Sequence, residues 1–190
     1  MTWLILGLLA FLVPHTLRRL APRWREARIA AIGANAWKGI YSLFSIAGFL
    51  FLIWGYGQAR NEPLVMEWLP PRGLAHVTAS LVLVAFILLA AAFVPRNHIK
   101  ARIGHPMMLA VALWAFGHLL INGSRHDIVL FGAFLVWALF LFQAAFRSEP
   151  PTRTGATWVG TLLSIAIGVA ATGLFAHVLH ARWIGVPLSI

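Results

Sequence analysis

The sequence predicts an all-α membrane protein, a single bundle of about six transmembrane helices with residues 1–190 forming one domain. Three observations lead there. Mean hydropathy is +0.83. Charged residues make up 11% of the chain, too few to cover a soluble globule, where about 25% is usual. The apolar residues gather into runs of roughly 20, the length that crosses the bilayer core as a helix, and they do not alternate as barrel strands do.

The first span is read at about residues 2–20, interrupted by Pro14, which removes a backbone donor and bends a helix. No Lys or Arg precedes Arg18, so this run reads as a retained span with an outward N-terminus and not as a cleaved signal. The second is read at about residues 37–56. The third covers about residues 75–94 and ends at Pro95. The fourth covers about residues 106–121, opened by Pro106 at a favoured first helical position. The fifth covers about residues 127–146, with Asp127 near the positive end of the helix dipole. The sixth covers about residues 157–180. Residues 18–34 mix Arg with Leu, Trp and Ala, and read either as an amphipathic helix on an anionic leaflet or as a basic connector. Trp68 and Trp183 read as interfacial anchors, and residues 149–152 as a loop.

The net charge of +10 would suit a nucleic-acid binder, but the cations sit in short loops between apolar spans, so no nucleic-acid partner is expected. Arg18, Arg19, Arg23, Arg25, Arg28, Lys38, Arg96, Lys100, Arg102, Arg147 and Arg153 fall on one side; Arg60, Arg72, Arg125 and Arg182 fall on the other. The positive-inside rule makes the larger group cytoplasmic. The expectation is a multi-pass membrane protein with both termini facing outward. The absence of cysteine excludes disulfides, thiolate ligands and a cysteine nucleophile.

The chemistry lies in eight histidines. His15, His76 and His118 fall inside or at the edge of apolar runs, where an ionisable side chain is costly and usually functional. Trp114, His118 and Asn122 are spaced by four and share a helix face. Asn122 or a backbone carbonyl could orient the His118 ring. Gly117 would let a flat ligand or another helix approach. His105 sits at a helix start, where the dipole disfavours its charged form. His15 follows Pro14, whose bend could aim it inward. At about 1.5 Å per residue, His15 lies about 20 Å from the outer side and His118 about 18 Å from the inner side. Their backbones then differ in depth by roughly 8 Å in a core of about 30 Å, which suits a tilted haem better than a compact single-ion site. His98 and His126 read as solvated loop residues. His177 and His180, with His76 and His126, read either as an outward metal site or as interfacial residues.

Four strings carry a family resemblance: Pro14-His15-Thr16-Leu17-Arg18, Trp37-Lys38-Gly39-Ile40-Tyr41-Ser42-Leu43-Phe44-Ser45, Trp54-Gly55-Tyr56-Gly57-Gln58-Ala59-Arg60, and His105-Pro106 followed by His118 and Asn122-Gly123. Over most of residues 1–145 the chain resembles the NnrU family of membrane proteins, associated with bacterial denitrification. That family includes the plant and algal 15-cis-zeta-carotene isomerases, which are haem b proteins. The resemblance implies haem b with His15 and His118 as iron ligands, and His105 matches a further shared histidine. Trp114, Gly117 and Asn122 would then neighbour the cofactor. Gly39, Gly48 and Gly117 could open its slot, and Arg18, Arg19, Lys38 and Arg102 could meet its propionates. The partners implied are the lipid bilayer and nitric oxide or a lipophilic small molecule.

The plant-type enzymes carry a cysteine three residues before the second ligand, where this chain has Ala115. A haem-dependent cis-trans isomerase of a carotenoid-like substrate is therefore the alternative to a role in nitric oxide and nitrite metabolism. Two further readings stay open. A membrane methyltransferase or sterol-reductase relative would carry an Arg before His105-Pro106, where Gly104 stands, and the methyltransferases' later acidic pair is missing. A scaffold whose histidines only pack would be colourless.

Overall fold

A computed structural model describes residues 1–71, 73–151 and 155–186, with Arg18 as backbone alone. Arg72, Thr152 and Arg153, used above to read the loops, and the Arg18 side chain lie outside the described residues. The described residues are mostly helical: α1 Thr2–Leu20, α2 Pro22–Ile32, α3 Ala34–Arg60, α4 Leu74–Phe93, α5 His98–Ile103, α6 Pro106–Ile121, α7 Arg125–Ser148 and α8 Trp158–Leu174, which runs on as a π-helix, Phe175–Ile184. Among the described residues the only β-pairings are two isolated bridges, Met66 with Ser124 and Asn97 with Thr157.

The all-α membrane class is as expected. The count of six spans is not reached by length. α3, α4, α7 and α8 with its π-helical continuation are long and apolar enough to cross. α1 and α2, bent by 85° at their junction, make a fifth if taken as one broken span. α6 has 16 residues, or about 24 Å, shorter than a core of about 30 Å. α1 runs on through Pro14 to Leu20, and the turn comes at Ala21 (φ −123°, ψ 56°). α2 is helical but buries no residue, consistent with the Arg-rich mixture that suggested it. The segment between spans three and four, read as a loop, contains α5, capped by the Asn97 side chain on the Lys100 N–H (2.7 Å).

The described residues fall into two compact units, Met1–Glu67 with Ser124–Ala133, and Trp68–Gly123 with Phe134–Ile190. In the first, α1 packs antiparallel on α3. Leu4, Leu8 and Leu12, spaced by four, are buried on α1; Gly48, Leu52, Gly55 and Ala59 are the buried face of α3. A Cβ on Gly55 would stand 2.4 Å from the Trp3 carbonyl oxygen, one on Gly48 2.8 Å from that of Ala10, and one on Gly7 2.6 Å from Leu52 Cα. Without a solvent-driven hydrophobic effect between helices in lipid, such close backbone approach supplies the packing energy. The Ala10 carbonyl is also the one whose helical donor Pro14 has removed.

In the second unit α4 is the central helix, contacting both α6 and α8. Ala85, Leu88 and Ala110 form its buried core, with Ile99, Ile103, Leu109, Leu113 and Trp114 packed around them. Gly168 on α8 sits against the Ile87 backbone, where a Cβ would come to 2.5 Å.

Gly55→Ala should lower the stability of the detergent-solubilised protein by about 1–3 kcal/mol, the usual effect of overpacking. Gly57, with nothing within 4 Å of an added Cβ, is the control: Gly57→Ala should melt at or slightly above the parent temperature, since Ala is the better helix former.

Candidate functional site

His15 and His118 are held by the same local device. The His118 ring is half-buried on α6, and its Nδ1 lies 2.8 Å from the carbonyl oxygen of Trp114, one turn back. On α1, His15 Nδ1 lies 2.6 Å from the carbonyl oxygen of Phe11, again one turn back. A carbonyl only accepts, so each Nδ1 carries the proton and donates it. In the neutral ring Nε2 then holds the lone pair. This is the tautomer and the orientation that metal-binding histidines adopt when a backbone carbonyl fixes them.

Each ring is also packed by aromatic neighbours within its own unit. His118 lies 5.1 Å from the Trp114 ring, and Trp114 meets Phe134 edge-on at 5.6 Å. His15 lies 4.6 Å from Phe11 and meets Tyr41 edge-on at 5.6 Å. From Tyr41 the aromatic series continues to Trp37 at 6.4 Å and from there to Trp24 on α2 at 5.7 Å. One turn beyond Tyr41 on α3, Ser45 has a buried Oγ with no hydrogen-bond partner among the described residues.

The other expected residues divide. Trp114, His118 and Asn122 do come together on one face of α6. It is the Trp114 carbonyl that orients the ring, while the Asn122 amide donates to the His118 carbonyl (2.8 Å) at the end of the helix. The room beside Gly117 is taken by another helix: Leu81 and Thr78 of α4 lie 3.4 and 3.5 Å from a built Cβ, and Thr78 Oγ1 donates to the Gly117 carbonyl (2.8 Å). Gly48 is likewise filled by the α1 backbone, so it does not open a slot, whereas Gly39 has nothing within 4 Å. His105, the residue before α6, stands at the opposite end of that helix from His118, about 20 Å along its axis. Its Nε2 donates to the Glu149 carbonyl (3.0 Å).

Two histidines expected in solvent are not there. The His98 N–H and Nδ1 both lie 2.9 Å from Thr161 Oγ1, and its ring lies 4.7 Å from Trp158, because α5 folds this loop back onto α8. His126 has 13% of its side chain exposed, with Nε2 3.8 Å from Asp127 Oδ2 and its ring 5.7 Å from Tyr56. His76 and His177 are exposed, while His180 Nδ1 donates to the Val186 carbonyl (2.7 Å). The wider π-helical turn around His177 and His180 takes residues three apart off a common face. Among the described residues no three His, Asp or Glu side chains gather as a metal site.

A second polar cluster was missed from sequence. Asp127 is buried and accepts from Tyr56 Oη (2.5 Å) through one oxygen and from Ser124 Oγ (2.6 Å) through the other. Arg60 lies over the Tyr56 ring at 5.9 Å. The signal was present: Ser124 and Asp127 stand three apart at a helix start, the spacing of a capping box. Tyr56, 71 residues away, left no such trace.

The family model described as NnrU protein matches residues 3–188. The chain belongs to the NnrU family. The match takes in nearly the whole length of α1 to α8, so the helices carrying His15 and His118 both belong to the NnrU domain. No curated protein and no solved structure matches the chain.

Asp127→Ala should destabilise the protein by about 1–3 kcal/mol for each buried hydroxyl left unsatisfied. Tyr56→Phe in the Asp127→Ala background should then add little, a non-additivity that thermal melts of the four proteins would measure.

Proposed function

We propose that this chain is a haem b-binding protein of the bacterial inner membrane, serving denitrification and the metabolism of nitric oxide and nitrite, with His15 and His118 as the residues that would hold the iron. The observation that carries this reading is the matched pair of Nδ1–H···O=C bonds. Two imidazoles in apolar helices are each locked in the tautomer that presents Nε2 to a metal. Cofactor ligands need such fixed rings.

The surroundings suit a porphyrin. Aromatic faces flank both rings, and the orphaned Ser45 hydroxyl one turn from Tyr41 is a ready donor to a bound polar group. Haem held there would supply an iron able to change its charge by one electron and, where one of the two histidines is exchanged, to take a diatomic ligand such as nitric oxide. The protein's own part is to fix ring direction, through the Phe11 and Trp114 carbonyls, and to exclude water with aromatic side chains. Position 115, a cysteine in the isomerases, is a fully buried alanine. No thiolate exchange is available to this chain, which favours the nitrogen-oxide reading over a polyene isomerase.

The purified protein should be coloured, with a Soret band and α and β bands that sharpen on reduction. His15→Ala and His118→Ala should each abolish or shift the Soret band, whereas His105→Ala should leave it in place. A colourless protein after expression with added haem, or a band that survives both substitutions, would sink the assignment.

The proposed orientation puts both ends of the chain in the periplasm. The chain has no cysteine, so single cysteines report cleanly. Residues 2 and 186 should react with a membrane-impermeant maleimide added to intact spheroplasts, and Arg102→Cys should react only after lysis.

A further inference from the structure

Away from the two ligand histidines, the second unit contains a cleft of about 410 Å³ at the end where α4 and α7 stop and α6 and α8 begin. Arg96, Lys100, His105, Glu149, Pro150 and Pro151 are among the residues that line it. The cleft is built in advance. Asn97, 1% exposed, uses its amide on the Ala91 and Val94 carbonyls (2.9 and 2.6 Å) and its oxygen on the Lys100 N–H (2.7 Å). The Arg96 carbonyl accepts the Thr157 N–H (2.7 Å) and Oγ1–H (3.1 Å), which holds Arg96 at φ 51°, a value rare outside glycine. The His105–Glu149 bond ties the two loops together.

Charge and depth point the same way. The flanking segments carry Arg96, Lys100, Arg102 and Arg147, and the only carboxylate described there is Glu149. Neither Arg96 nor Lys100 pairs with a carboxylate among the described residues; Lys100 Nζ donates to the Ala92 carbonyl at the end of α4 (2.9 Å). Directly beside the cleft the surface turns apolar: Phe93 is 72% exposed, Trp158 70%, Val159 76% and Leu162 62%. Cations above, an indole at the boundary and bare aliphatic side chains below are the layers of a lipid headgroup region.

We propose that this cleft binds one anionic phospholipid, with the phosphodiester between Arg96 and Lys100 and the acyl chains along the exposed face of α8. The volume suits a glycerophosphate headgroup. A free phosphate would use the cations but not the apolar strip, and a zwitterionic lipid would use the strip while bringing its own cation to the guanidinium. The inference does not depend on haem.

The test uses the full-length protein, delipidated in neutral detergent, with native mass spectrometry and thermal melting. Phosphatidylglycerol should be retained at least tenfold better than phosphatidylcholine and should raise the melting midpoint by several degrees. Inorganic phosphate and glycerol 3-phosphate at the same concentration should do neither. Arg96→Gln with Lys100→Gln should remove the preference while Arg60→Gln leaves it intact. Because Lys100 also caps α4, Arg96→Gln alone decides the matter if the double variant does not fold, and it should cut retention severalfold. Equal retention of the two lipids, a preference that survives loss of Arg96, or a phosphate effect as large as the lipid effect would each overturn the proposal.

Discussion

In hydrocarbon there is no water to satisfy a polar side chain, so each must find an acceptor in the protein or be expelled. At many positions this chain meets that demand with one repeated contact, a side-chain donor bonded to the carbonyl one turn earlier on its own helix. Thr16 bonds to Leu12, Ser164 to Gly160, Thr172 to Gly168 and Asn122 to His118. His15 and His118 do the same with Phe11 and Trp114. For a hydroxyl the contact ends the matter, because its donor is spent. For an imidazole it leaves a second nitrogen of defined character.

The helix pairs rest on a complementary economy of side chains. α1 meets α3 through Gly7, Gly48 and Gly55, with backbone atoms where side chains would otherwise stand. α4 receives Gly117 on one side and Gly168 on the other, and its own buried residues are mostly alanine and threonine. Large apolar residues such as Leu43, Phe44 and Val136 are turned outward instead, as expected where lipid is the solvent.

The fold was read most accurately where a local rule fixed it. Pro106 and the end of the apolar run at Ile121 placed α6 at its observed limits, because proline at a helix start acts within a few positions. The ends of α3 and α7 were read short, since their polar terminal turns continue the helix beyond the apolar run that hydropathy detects. α5 went unseen because its six residues owe their helicity to the Asn97 cap and to contacts with α8. The same contacts hold His98 half-buried against α8, whereas sequence placed it in solvent. The π-helical end of α8 has no sequence signature, and among the described residues His177 and His180 do not gather with His76 and His126 as a metal site. At the site, the co-facing of Trp114, His118 and Asn122 followed from helical periodicity. The choice of the Trp114 carbonyl over Asn122 as the partner of the ring, and the filling of Gly117 by α4, depend on rotamers and on tertiary neighbours that spacing does not encode.

The antiparallel pairing of α1 and α3 has a consequence for biogenesis. Its tightest contacts, Trp3 with Gly55, Gly7 with Leu52 and Ala10 with Gly48, all join residues within the first sixty of the chain. A helical hairpin of this kind can zip shut at the translocon while the remaining spans are still being synthesised. The segment bearing His15 would then be seated in the bilayer, its ring already bonded to the Phe11 carbonyl, before the ribosome has made His118.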